Sequence, residues 1–197
     1  MNPWWSSLVE AANEKYHQAF LEMARIWRDC MLFGWRWWLD LALSILPWAY
    51  WFMVRDKKRT HNLLYAGFVI LVLSSFSDMI GMSFGLWGYH SRVVPFFPAY
   101  VPWDFSVIPV MAMLFYQYFP NIKPYYKGLI FSAFGSFVLQ SVFAWLGTFD
   151  PKEWKHYYSF PIVLVYYLIG YWFYKKSLTN SIPAGDSVHP NTTKSQK

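Results

Sequence analysis

Five apolar runs, at 31–54, 62–86, 102–119, 127–147 and 157–174, set the terms for this chain. Each approaches the roughly 20 residues a helix needs to cross a bilayer. In hydrocarbon every backbone N–H and C=O must be satisfied within its own segment, so runs of this kind fold as helices. The expectation is an all-α, polytopic integral membrane bundle of about five transmembrane helices. Composition agrees: 56% of the residues are hydrophobic and 14% charged, too few charges to coat a soluble domain. Trp35, Trp37 and Trp38 at one end of the first run and Trp48 and Trp51 at the other read as aromatic belts at two interfaces. Pro102 and Pro120 bound the third run and Pro109 lies inside it, which predicts a short, kinked helix.

The formal charge of +6 is concentrated on alternate connections. Arg55, Lys57, Lys58 and Arg59 follow the first run, Lys123 and Lys127 flank the fourth, and Lys175 and Lys176 follow the fifth. The connection 87–101 carries only Arg92, and 148–156 mixes Asp150 and Glu153 with Lys152 and Lys155. Basic loops stay on the cytoplasmic side, so the N-terminus is expected outside and the C-terminus inside. Charge placed this way belongs to topology and does not imply a nucleic-acid partner.

Domain organisation follows: an amphipathic helix in 1–30, the bundle in 31–176, and a polar cytoplasmic tail in 177–197, disordered for want of large apolar groups. In the first of these, Tyr16, Phe20, Met23, Trp27 and Cys30 recur at spacings of three and four. That helix either lies on the outer membrane surface or extends the first span and packs on the outer loops. A single cysteine, Cys30, excludes an internal disulfide and a Cys-based metal cluster. No phosphate loop, dinucleotide glycine fingerprint, zinc-protease motif or nucleophile elbow is present. No cofactor or metal is expected, and any chemistry lies in the bundle.

Ionisable and amide side chains within the runs are the candidates, because such groups are costly in lipid. Arg36 and Asp40 stand four apart, on one helical face, and are expected to pair. Asp78 shares a 4-3-4 face with Ser74, Gly81 and Gly85, small residues that admit a neighbouring helix. Asp104 lies in the first turn after Pro102, where capping of free N–H groups and function are both open. Gly128, Ser132, Ser136 and Gln140 recur at intervals of four, a packing strip sealed by hydrogen bonds in which the Gln140 amide needs partners. Under the expected orientation Arg36, Asp40, Asp78, Asp104 and Gln140 all fall toward the outer side, with Trp87, Tyr89 and Trp103 around them. The inner half is nearly free of ionisable groups, which argues against a through-membrane proton relay. An outward-opening, aromatic-lined cavity suits the pattern.

The passages Ser77-Asp78-Met79-Ile80-Gly81, Gly85-Leu86-Trp87-Gly88-Tyr89 and Pro95 through Pro102-Trp103-Asp104-Phe105 resemble a family of small uncharacterised multi-pass membrane proteins of spore-forming Gram-positive bacteria. That resemblance covers about 31–176 and implies a bacterial cell or spore membrane. More distantly, an Asp-bearing helix, a Gly-x-Trp-x-Tyr loop and a Pro-x-acid helix start are similar to the lycopene cyclase domain. There, paired acids after the proline drive a carbocation-mediated ring closure; here Trp103, Asp104 and Phe105 follow Pro102, so the pair is absent.

Two function classes follow. In one, a non-enzymatic binding, sensing or assembly component uses Arg36, Asp40, Trp87, Tyr89, Trp103 and Gln140 to hold an apolar ligand or a partner transmembrane helix. In the other, a membrane enzyme acts on an isoprenoid or lipid with Asp78 or Asp104 as general acid.

Overall fold

The computed structural model describes residues 3–118 and 121–180. The fold is all-α. Helix α1 is Ser6–Ile26, followed by a wide turn, Trp27–Met31; α2 is Trp35–Val54; α3 is Thr60–Ser83, entered through a tight turn, Lys57–Arg59. Helix α4 has two parts, a widened Pro102–Val107 and a regular Ile108–Gln117. Helix α5 is Pro124–Trp145 and α6 is His156–Asn180. Two short strands, β1 (Gly88–Tyr89) and β2 (Phe149–Asp150), pair antiparallel with Gly88 opposite Asp150.

Helix α4 runs through the middle. Its Ile108, Val110, Ala112, Met113 and Tyr116 are buried together with Trp51 from α2, Leu63, Ala66 and Ile70 from α3, Phe131 from α5, and Val163 and Tyr167 from α6. The two prolines shape it. Pro102 opens it, where a missing N–H costs nothing. Pro109 has no N–H to offer the Phe105 carbonyl four residues back, and Trp48 Nε1 donates to that carbonyl instead at 2.8 Å. The packing strip on α5 is confirmed in part. Gly128, Ser132 and Ser136 are buried, with Leu164 and Tyr167 of α6 against Gly128. The Ser132 and Ser136 hydroxyls, however, have no hydrogen-bond partner, so at these two positions close packing holds the seam.

Both connections at one end of the bundle begin the same way. Gly85 (φ 67°) and Gly147 (φ 68°) adopt the left-handed conformation that ends a helix. The next residues, Leu86 and Thr148, donate back to the Gly81 and Phe143 carbonyls at 2.9 and 3.1 Å, closing the six-residue glycine cap. Gly85 is therefore a stop signal outside the helix, and the expected 4-3-4 face is shortened to Ser74, Asp78 and Gly81. From the two caps the chain passes directly into β1 and β2, and the ribbon they form roofs this end.

The opposite end holds the basic connections. Lys127 reaches across to the Phe115 and Tyr118 carbonyls at the end of α4 (3.0 and 3.3 Å), Gln117 bonds the backbone at Val54 and Asp56, and Arg59 joins Asp56 to Tyr174. Helix α6 runs to Asn180, a few residues into the stretch read as a tail; 181–197 lies outside the described residues.

Helix α1 buries no residue. The chain breaks at Leu32–Gly34, where Phe33 takes a left-handed φ of 62°, so α1 does not continue α2 as one rod. Trp27 before the break and Trp37 after it donate to consecutive carbonyls, Arg92 and Val93, at 2.9 and 3.0 Å. Packing of this segment on the 87–101 connection is thus observed. Among the described helices, Lys57–Ser83 and Pro124–Trp145 are long and apolar enough to cross a membrane, with mean hydropathies of 1.9 and 1.5.

A carboxylate pair under an aromatic roof

Asp78, one turn from the end of α3, is 5% exposed. Its Oδ1 accepts from Trp87 Nε1 at 2.7 Å and from the Tyr89 hydroxyl at 2.8 Å; its Oδ2 accepts from the Tyr100 backbone N–H at 2.8 Å. All three donors come from the connection that follows the helix. The Gly85 cap turns the chain back over Asp78, and Gly81 leaves the space into which the Trp87 ring folds: a Cβ there would sit 2.0 Å from it.

Asp104, 1% exposed, takes the same Tyr100 N–H on its own Oδ2 at 3.1 Å, and Ser74 of α3 donates to its Oδ1. The N–H that Asp104 accepts belongs to Tyr100, two residues before α4 begins, and not to the first turn where capping was expected. That shared N–H ties its carboxylate to that of Asp78. Asp40, 0% exposed, joins from the other side by accepting the Tyr100 hydroxyl on Oδ1. Its Oδ2 has no hydrogen-bond partner, although the buried Ser91 hydroxyl lies beside it. Tyr100 thus connects three carboxylates from three helices, with its ring stacked on Tyr89 at 4.1 Å.

Burial, and then the Asp40 charge, raise the Tyr100 hydroxyl above its ordinary pKa; burial, and then the Asp78 charge, do the same to Tyr89. Both phenols therefore remain donors at neutral pH. Burial also lowers Arg92, whose guanidinium feels Asp78 and Tyr89. Among the described residues no Lys, Arg or His stands within ion-pair distance of Asp78 or Asp104.

A cleft opens onto this pair. Trp87, Tyr89 and Trp103 line it with Gln140 opposite, so six of the eight residues singled out in the sequence meet at one cavity. A smaller lobe of about 230 Å³ continues between Tyr100, Phe143 and Phe149. Gln140 meets His156 Nδ1 through its Oε1 at 3.3 Å. The two exceptions are Arg36 and Asp40. The expected ion pair between them is absent: Arg36 is exposed, donates to the Leu146 carbonyl at 3.2 Å and lies over Trp35. The glycine cap at Gly147 leaves that carbonyl open to it, while Asp40 turns inward to Tyr100, so four-residue spacing on a helix did not decide the partner.

Residues not singled out complete the wall. Trp154 packs its ring against Trp87 at 4.8 Å and bonds Ser159 at 2.9 Å, and the Tyr166 hydroxyl donates to Ser77, joining α6 to α3. A Ser and a Tyr on different helices carry no sequence signal for each other. Among known proteins, no family model, curated protein or solved structure matches this chain.

Proposed function

We propose that the chain is a five-span integral membrane protein, N-terminus outside and C-terminus inside, that holds an amphipathic small molecule in the ribbon-end cleft. The observation carrying this reading is the cleft itself: aromatic walls converging on two buried carboxylates that have only neutral donors around them. Three features support the span count. Helices α2 and α6, of 20 and 25 residues, have the length, with Trp and Tyr replacing aliphatic residues and lowering their hydropathy. The short α4 is enclosed by the others. Side chains such as Leu46, Phe68, Phe76, Ile130, Phe137 and Val165 are exposed on the outside of the bundle, a surface that water disfavours and hydrocarbon accepts. Orientation rests on the basic end. Exposed Cys30 reports it: a membrane-impermeant maleimide is expected to label intact cells, and labelling only after permeabilisation would reverse the orientation.

The mouth of the cleft favours entry from the bilayer. Ile162, on its wall, is exposed on the outside of α6, and Phe76 and Ile80 flank Ser77 on the outside of α3. The Ser77–Tyr166 bond joins the two helices beside these residues. Protein extracted in mild detergent is expected to retain a small molecule detectable by native mass spectrometry, at least tenfold depleted in Trp103→Ala. Equal retention by both would remove the cleft from the reading.

One observation favours the enzymatic alternative. Two carboxylates on a single N–H form an arrangement that can hold one proton between them. An acid beside aromatic faces suits chemistry through a carbocation on an isoprenoid. The same preparation would then convert an added isoprenoid, and Asp104→Asn would not.

A further inference from the structure

We infer that the cleft selects a positively charged organic headgroup, an alkylated ammonium, which rests on the reading of this cavity as a ligand site. The carboxylates of Asp78 and Asp104 accept five hydrogen bonds, all from neutral groups: an indole, a phenol, a hydroxyl and one backbone N–H shared between them. A carboxylate has about four lone-pair sites, so the pair keeps acceptor capacity free. Arg92 lies in range of the field of Asp78 but outside contact, and it is held by the Phe97 carbonyl at 3.4 Å. The charge that stays on the pair, with or without one proton held between the two carboxylates, has no cationic partner in contact with it among the described residues.

The walls have the same preference. Trp87, Tyr89, Trp103, Trp154 and Tyr166 line the same cleft as the carboxylates, and aromatic rings attract cations most strongly where water is excluded. A quaternary ammonium needs no hydrogen-bond acceptor of its own and gains from both the faces and the distant charge. A neutral group of the same shape gains only from apolar contact. A lipid headgroup reaching the cleft from the bilayer and a free amine reaching it from the ribbon end would share the ammonium, and the experiment separates them.

Choline and its uncharged carbon isostere, 3,3-dimethylbutan-1-ol, separate the possibilities without any variant. In isothermal titration of the full chain in phosphatidylglycerol nanodiscs, choline is expected to bind at least tenfold more tightly than the alcohol. Asp78→Asn and Asp104→Asn should each shrink that ratio toward one. Equal binding of the two probes overturns the charge selection while leaving a ligand cavity. Absence of binding by both overturns the cavity reading as well. Repeating the titration in phosphatidylcholine nanodiscs identifies the source: loss of choline binding means that the lipid headgroup occupies the site, and retention means a free amine. Either result supports the ammonium preference.

Discussion

Asp78→Ala is expected to cost roughly 3–5 kcal/mol of stability, because it strands buried donors to a charged acceptor, each worth about 1.5–3 kcal/mol when properly paired. Trp87 Nε1 and the Tyr89 hydroxyl lose their acceptor outright. The Tyr100 N–H keeps Asp104, so the third loss is partial. The damage should be local in form. With its two anchors gone, the 87–101 connection loses its hold on α3, and Trp27 and Trp37 lose a fixed seat at the Arg92 and Val93 carbonyls. Asp78→Asn retains one acceptor oxygen and should cost about half as much. Denaturant titration in mixed micelles, followed by proteolysis at the 87–101 connection, measures both. A loss below about 1 kcal/mol for the alanine variant would mean that the carboxylate does not organise the roof.

Asp104 tests a different kind of dependence. Capping alone would make it a local element of α4, yet its second oxygen is held by Ser74 of α3. The pair therefore staples α3 to the start of α4 at the point where α4 is widened over Pro102–Val107. Such wide turns occur often at functional sites, since they redirect a side chain without breaking the helix.

The helices were legible because a long apolar run has few economical ways to satisfy its backbone, and a helix does so within the segment. Their ends were legible where a chemical signal was read, as Pro102 was at the start of α4; α5 begins at Pro124, three residues before the apolar run from which it was expected. Gly85 was misread because a small residue at helical spacing looks the same whether it packs or terminates; only its left-handed φ separates the two. The site was legible residue by residue, since a carboxylate in an apolar run stands out. Its assembly was not. The hub is the backbone N–H of Tyr100, which every residue except proline possesses and which no motif can reveal. Arg36 failed for a related reason. Its acceptor is a carbonyl 110 residues away, exposed by a glycine cap on another helix, and i to i+4 reasoning sees only one helix.

Gly81→Ala should be nearly as harmful as Asp78→Ala, and for a steric reason that a second substitution can isolate. An alanine Cβ at this position would lie 2.0, 2.1 and 2.6 Å from three atoms of the Trp87 ring. No rotation of the methyl relieves this, because the position of Cβ is fixed by the backbone of α3. The indole must leave, and with it goes its bond to Asp78. Overpacking costs about 1–3 kcal/mol and a lost charge-assisted bond about 1.5–3, so roughly 3–5 kcal/mol is expected. Trp87→Ala removes the bond and the ring together. Once the ring is gone the nearest obstacle to a Cβ at position 81 is gone too, so the double variant Gly81→Ala, Trp87→Ala should be no less stable than Trp87→Ala alone. This strong non-additivity is what a direct contact requires. Additive losses would place the cost of Gly81→Ala elsewhere in α3 and detach Gly81 from the construction of the roof.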